Sequence, residues 1–127
     1  MRYLVWYISL MPYQNKIGNF RASLSLCLNS GGWISPRRLE LLAAIGETNS
    51  ISNGAKAIGM TYRGAWIAVE EMNSLAGVPL VKSWQGGHGG GGAELTEVGK
   101  QLVIELSRLS ALQTQLFQSV AVLDEFD

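Results

Sequence analysis

SISNGAKAIGMTYRGAWIAVEEMNSL, residues Ser50–Leu75, decides the fold. The stretch breaks at Gly59. Before the break, SNGAKAI (52–58) reads as a short helix whose small residues Gly54, Ala55 and Ala57 let another helix cross closely. Gly59 suits the left-handed position that closes a helix. Thr61 then caps a longer helix over 62–75. Its apolar positions Ala65, Trp66, Val69, Met72 and Leu75 recur at three- and four-residue steps. Tyr62, Arg63, Ile67, Glu70, Glu71 and Ser74 lie off that stripe. Short helix, tight turn and longer helix make the helix-turn-helix pattern.

Upstream, Ser35-Pro36 supplies an N-cap followed by proline at the first helical position, which predicts a helix over 36–48. Leu39, Leu42, Ala43 and Ile45 line its apolar side, and Arg37 and Arg38 stand at its exposed start. FRASLSLCL (20–28) alternates strictly, with Phe20, Ala22, Leu24, Leu26 and Leu28 on one face, and predicts a half-buried strand ended by SGG at 30–32. Cys27 is the only cysteine, so no internal disulfide forms and a reduced, intracellular (cytoplasmic) setting is expected. Its thiol is expected to be packed or half-buried.

Downstream, PLVKSW (79–84) reads as a strand, GGHGGGG (86–92) as a turn region and AEL (93–95) as a second short strand. A hairpin directly after the third helix is a wing. The same glycine run makes a poor phosphate loop: a nucleotide fingerprint feeds a helix and ends on Lys-Ser/Thr, whereas Ala93 and a strand follow here. His88, the only histidine, has no acid and nucleophile arranged beside it, and with Cys27 it makes no recognisable metal-ligand set. No enzyme, cofactor or metal site is expected.

Thr96 caps a last helix in which Leu102, Leu106, Leu109, Leu112, Leu116, Val120 and Leu123 mark one side at steps that resemble a coiled-coil seam. A lone helix so apolar on one side wants a partner, and self-pairing gives a two-fold dimer. The expected fold is therefore mainly α with a small β wing. Residues 1–18 form an N-terminal extension, 19–95 a winged helix-turn-helix domain, and 96–127 a dimerisation helix with the acidic tail DEFD.

The 127 residues suit one domain with a small core, and 47% hydrophobic against 16% charged residues leaves apolar surface for a dimer to cover. Net charge is zero but uneven. Residues 1–82 carry eight Lys/Arg and four Glu, and residues 83–127 carry two Lys/Arg and six Asp/Glu. A nucleic acid would meet the basic part. YLVWYISLM (3–11) is too short for a signal peptide or a membrane span, and no small-residue cleavage site follows it. Residues 1–18 are expected to be loosely held or strand-like, with Met11 an alternative start and Tyr3, Trp6, Tyr7 and Tyr13 available to pack on a partner.

In a helix-turn-helix the first turns of the second helix enter the major groove. Here those are Thr61, Tyr62, Arg63, Gly64 and Ile67. Arg63 is the base-reading candidate, through a bidentate contact to guanine, against the plainer reading of a solvated arginine. Thr61 and Tyr62 bond phosphate or a base edge, and Trp66 is expected in the core. Ser52, Asn53 and Lys56 at the preceding helix fix the duplex through phosphates. Arg37 and Arg38 either add to that grip or form a solvated first turn. Lys82 and His88 belong to the wing, His88 as a phosphate partner or as a plain turn residue. The rival function is a winged helix that binds proteins and has no specific DNA target, favoured by Ile67 and the aromatic N-terminus.

Ser50–Leu75 followed by GGHGGGGAELTEVGK resembles the N-terminal winged-helix domain of the ModE family of molybdate-responsive bacterial transcriptional regulators, itself related to the LysR-type DNA-binding head. The likeness spans roughly residues 20–123, and the wing at Gly86–Thr96 is similar to the family's GGxGGGGAxLT. The resemblance implies a homodimeric regulator of double-stranded DNA joined through its long C-terminal helix, acting on the transcription machinery, and it implies DNA contacts by Ser52, Asn53, Lys56, Thr61, Tyr62 and Arg63. The position of Arg63 is often lysine in the family. His88 and Glu97 stand where basic residues occur in it, which weakens the wing's expected phosphate grip. The chain stops at Asp127, before the region that binds molybdate in full-length members, so molybdate is not carried over.

Overall fold

The computed structural model describes residues 16–17, 20–21, 23–87 and 90–119. Most of the N-terminal extension, His88, Val120, Leu123 and the acidic tail lie outside the described residues. The fold is mainly helical. Strands β1 (Lys16–Ile17) and β2 (Phe20–Arg21) pair antiparallel, as do β3 (Leu26–Cys27) and β4 (Trp33–Ile34). Helices α1 (Pro36–Thr48), α2 (Ile51–Ala57) and α3 (Tyr62–Ala76) follow. The hairpin β5 (Val81–Gly87) and β6 (Gly90–Leu95) then leads into α4 (Glu97–Ser119).

The strand expected over 20–28 is broken into β2 and β3, which pair with different neighbours, and residues 23–25 between them belong to neither. The alternation survives in burial: Leu24, Leu26 and Leu28 are half-buried, while Ser23, Ser25 and Cys27 are exposed. Cys27 is thus a correction to the expected packed thiol. It lies opposite Trp33, itself exposed, on the outward side of a two-stranded ribbon that no other described element covers enough to bury the thiol.

Helix α1 is the centre of the molecule. Ser35 caps it by accepting the Arg38 N–H at 3.3 Å, with Pro36 in the first turn as the sequence predicted. Seven successive residues, Leu39 to Ile45, are buried, Glu40 among them. The apolar side read from the sequence was too narrow. A helix covered all round is one that other elements surround, and α2, α3, α4 and β6 all contact this one. Asn49 ends it in the left-handed region (φ 53°), and the Asn49 carbonyl accepts the Ala93 N–H of β6 at 3.1 Å.

The α1–α2 crossing needs Gly54. A Cβ there would lie 3.1 Å from Cγ1 and 3.2 Å from the backbone N of Ile45. Ala55 is buried beside it, whereas Ala57 is exposed. On α3 the buried residues are Ala65, Ala68, Val69 and Met72, and Trp66 is half-buried at the margin. Every residue placed off the stripe is exposed, Tyr62, Arg63, Ile67, Glu70, Glu71 and Ser74 alike.

Helix α4 begins against the root of the hairpin. Thr96 accepts the Gly99 N–H at 3.0 Å and donates its hydroxyl to the Pro79 carbonyl at 2.8 Å. Gly99 lies so close to β5 that a Cβ on it would sit 2.2 Å from the Leu80 carbonyl oxygen. The apolar side of α4 then divides. Val103 and Leu106 are in the core and Leu102 is packed against it, whereas Leu109, Leu112 and Leu116 are exposed. The expected continuous seam is corrected accordingly: Leu106, at 1% exposure, is covered by its own chain.

Candidate nucleic-acid interface

Helices α2 and α3 meet through residues 58–61. Gly59 takes φ 69°, as its place in the sequence required, and the Met60 N–H bonds back to the Ala55 carbonyl at 2.8 Å. Ser50 caps α2 by accepting the Asn53 N–H at 3.0 Å, a cap the sequence reading did not assign. Thr61 caps α3 by accepting the Gly64 N–H at 3.0 Å. A Cβ on Gly64 would sit 2.9 Å from the Thr61 hydroxyl, so Gly64 is small because the cap closes over it. Its N–H is used inside the protein. Thr61 keeps its hydroxyl proton free to donate outward.

The first turns of α3 project from the surface. Tyr62 is 56% and Ile67 45% exposed, and Arg63, one turn before Ile67, is exposed on the same side. Among the described residues no acidic group pairs with Arg63, Lys56 or Lys82, and all three are exposed. Ser52 is half-buried and Asn53 exposed at the start of α2.

Arg37 and Arg38 part company. Arg38 forms an ion pair with Glu71, thirty-three residues along the chain, and joins α1 to the later part of α3, away from its first turn. It is held as a strut. Arg37 pairs with the buried Glu40 at 3.4 Å but stays half-exposed, and its guanidinium lies 3.9 Å from where a Cβ of Gly59 would be, beside the α2–α3 turn.

The hairpin stands next to α3. Its register runs Val81↔Leu95, Lys82↔Glu94, Ser83↔Ala93 and Trp84↔Gly92, then slips before Gly87↔Gly90. The glycine run is therefore mostly strand, which corrects the reading of it as a turn. Its glycines serve close contact: a Cβ on Gly92 would fall 2.5 Å from Cζ2 of Trp84, and one on Gly91 2.7 Å from the Trp84 carbonyl oxygen. Asn73 of α3 ties the hairpin down, accepting the Leu80 N–H at 2.7 Å and donating to the Val81 carbonyl at 3.1 Å. Neither Asn73 nor Trp84 was singled out from the sequence. An asparagine within an otherwise apolar and acidic helix was the available signal for the first.

Between α3 and the hairpin runs a groove of about 540 Å³. Tyr62, Trp66 and Trp84 wall it, with Ser50, Ser52 and Gln85 among the polar residues. Tyr62 and Trp66 meet edge to face, with centroids 6.2 Å apart and planes at 78°. Trp66, expected in the core, packs half-buried against it and also lines the groove.

Three helices, the second and third joined by a tight turn, with a hairpin wing packed beside the last, define a winged helix-turn-helix protein. Residues 36–100, just over half of the chain, match the family described as bacterial regulatory helix-turn-helix protein, lysR family, and the chain belongs to that family. Its domain is homologous to the N-terminal winged helix of the ModE regulators. It is 43% identical over 94 residues to the DNA-binding transcriptional dual regulator ModE of Escherichia coli K12, covering 74% of this chain and 36% of that one. It is 41% identical over 97 residues to the transcriptional regulator ModE of Yersinia pestis, covering 76% and 37%. To the molybdenum-pterin-binding protein MopB of Rhodobacter capsulatus it is 40% identical over 90 residues, covering 71% and 33%. The match thus spans little more than a third of the length of these relatives. The matched family and the two ModE relatives are regulatory proteins.

Proposed function

We propose that the chain is a sequence-specific double-stranded-DNA-binding transcriptional regulator that acts as a homodimer. The observation that carries this reading is the first turn of α3: Arg63 is exposed there without an acidic partner among the described residues, and Lys56 of α2 and Lys82 of the wing are likewise exposed and outside any ion pair. That arrangement supplies a bidentate reader for guanine and flanking phosphate contacts. Thr61, Tyr62, Ser52 and Asn53 add hydrogen-bond donors to the same face, and Arg37 borders it. The family membership, and the likeness to the ModE transcriptional regulators, support the same reading.

The dimer is proposed to form through the exposed part of α4. Leu109, Leu112 and Leu116 are 49%, 60% and 64% exposed at three- and four-residue steps, the spacing of a coiled-coil seam. Two-fold pairing there would set two α3 helices one turn of DNA apart, about 34 Å. Bound at a promoter, such a dimer would act on the transcription machinery. Among the described residues no helix is long and apolar enough to cross a membrane. A cytoplasmic setting fits a DNA partner. No role for molybdate is proposed for this chain.

A second reading, a protein-interaction module, is favoured by the exposed Ile67 and by Tyr62 and Trp84, which share the groove. The salt dependence of binding to duplex DNA separates the two. A DNA-binding head loses affinity steeply between 50 and 200 mM salt, by about 10³-fold for roughly six phosphate contacts. Duplex binding that is absent, or flat with salt, favours the protein partner.

A further inference from the structure

The groove between α3 and the wing carries more than the phosphate grip requires. The residues that line it include no charged side chain, while Arg63, Lys56 and Lys82 stand outside it. Its walls are aromatic, and two of them are unusually bare: Trp84 is 51% and Tyr62 56% exposed. Trp84 is also held in place. Its indole lies across Gly92, the opposite residue of the hairpin, where a side chain would meet the ring at 2.5 Å. A large apolar ring seated on backbone and left half in water is ordered before it meets its partner, so little freedom is lost on contact.

We propose that Trp84 is a DNA-contact residue that sets affinity by apolar contact: with Tyr62 and Trp66 it forms a neutral slot for the deoxyribose faces of the strand crossing between the major-groove helix and the wing. The proposal rests on the DNA-binding reading and deepens it. A strand so placed presents phosphates outward to the surrounding cations and its sugar faces to the rings. A neutral aromatic wall suits the sugars and is indifferent to the phosphates. The contact then adds affinity without releasing counterions, so it leaves no trace in the salt dependence.

The test measures the affinity of the full chain for a labelled duplex, chosen from a random library by the wild-type protein, across a range of salt. Trp84→Ala is expected to weaken binding at least about tenfold, the loss when an apolar ring of that size is no longer buried. The slope of log affinity on log salt is expected to stay at the wild-type value. Trp84→Phe should recover part of the loss. Gly92→Ala, which drives the indole off its seat while keeping it in the chain, should reproduce it. Wild-type affinity in Trp84→Ala overturns the proposal. So does a slope that falls together with the affinity, because Trp84 would then only hold the wing's cations in position. If the wild-type chain selects no duplex at all, the DNA-binding reading fails and takes this proposal with it, an outcome distinct from the other two.

Discussion

Asn73 and Val81 exchange hydrogen bonds in both directions: the Asn73 amide donates to the Val81 carbonyl at 3.1 Å and accepts the Val81 N–H at 3.2 Å. The same oxygen accepts the Leu80 N–H at 2.7 Å. One side chain thereby pairs the backbone at the root of the wing, at the first rung of the β5–β6 ladder where Val81 lies opposite Leu95, and ties the wing to α3. These three bonds join α3 to the wing.

Removal of that side chain should loosen the joint. Asn73→Ala leaves part-buried backbone groups without partners, at a cost of about 1–3 kcal/mol. Urea denaturation is expected to show a lower midpoint, and hydrogen exchange at Leu80 and Val81 should accelerate. Unchanged exchange at those amides would show that the wing is held by other contacts.

Gly99→Ala places a methyl group 2.2 Å from the Leu80 carbonyl oxygen. In an open helix the same change would stabilise by about 1 kcal/mol. Here a backbone atom is in the way, so the chain must part α4 from β5, and a net destabilisation of about 1–3 kcal/mol is expected. A raised melting temperature would mean that α4 does not start against the wing root.

Arg63→Ala and Lys82→Ala should fail differently. The first is expected to cost about 1–3 kcal/mol at one base position and to relax specificity there. The second should weaken all sequences alike and reduce the salt slope by about one. Competition with single-base variants of the selected site distinguishes them. A uniform loss on Arg63→Ala would remove its base-reading role.

Leu109→Glu and Leu106→Glu probe the division of α4. Leu109 is 49% exposed and Leu106 1%. Charging the first is expected to leave a folded monomer with weakened DNA affinity, read by sedimentation and circular dichroism. Charging the second buries an unpaired carboxylate and should unfold the domain. A Leu109→Glu protein that still sediments as a dimer would place the interface elsewhere.

What was legible in the sequence was local. The Ser35-Pro36 start, the Gly59 turn and the Thr61 cap all act within a few residues, and helices α1 and α3 came out within a residue of the structure at each end. Contacts across the chain were not legible. Arg38 looked available to DNA because nothing local names Glu71 as its partner. The glycine run looked like a turn because flexibility is the common reason for glycine, whereas Gly92 is small to seat the Trp84 indole. The leucine repeat of α4 looked uniform because period alone does not tell whether a face is covered by its own chain, as at Leu106, or left open, as at Leu112. His88, which the sequence assigns to the wing, lies outside the described residues.

The most direct test of the central claim is selection by the 127-residue chain from a random double-stranded DNA library at moderate salt. The account predicts an enriched inverted repeat whose half-sites lie one helical turn apart, about 34 Å centre to centre. A folded dimer that retains no duplex, or retains duplexes with no sequence enriched, would contradict it.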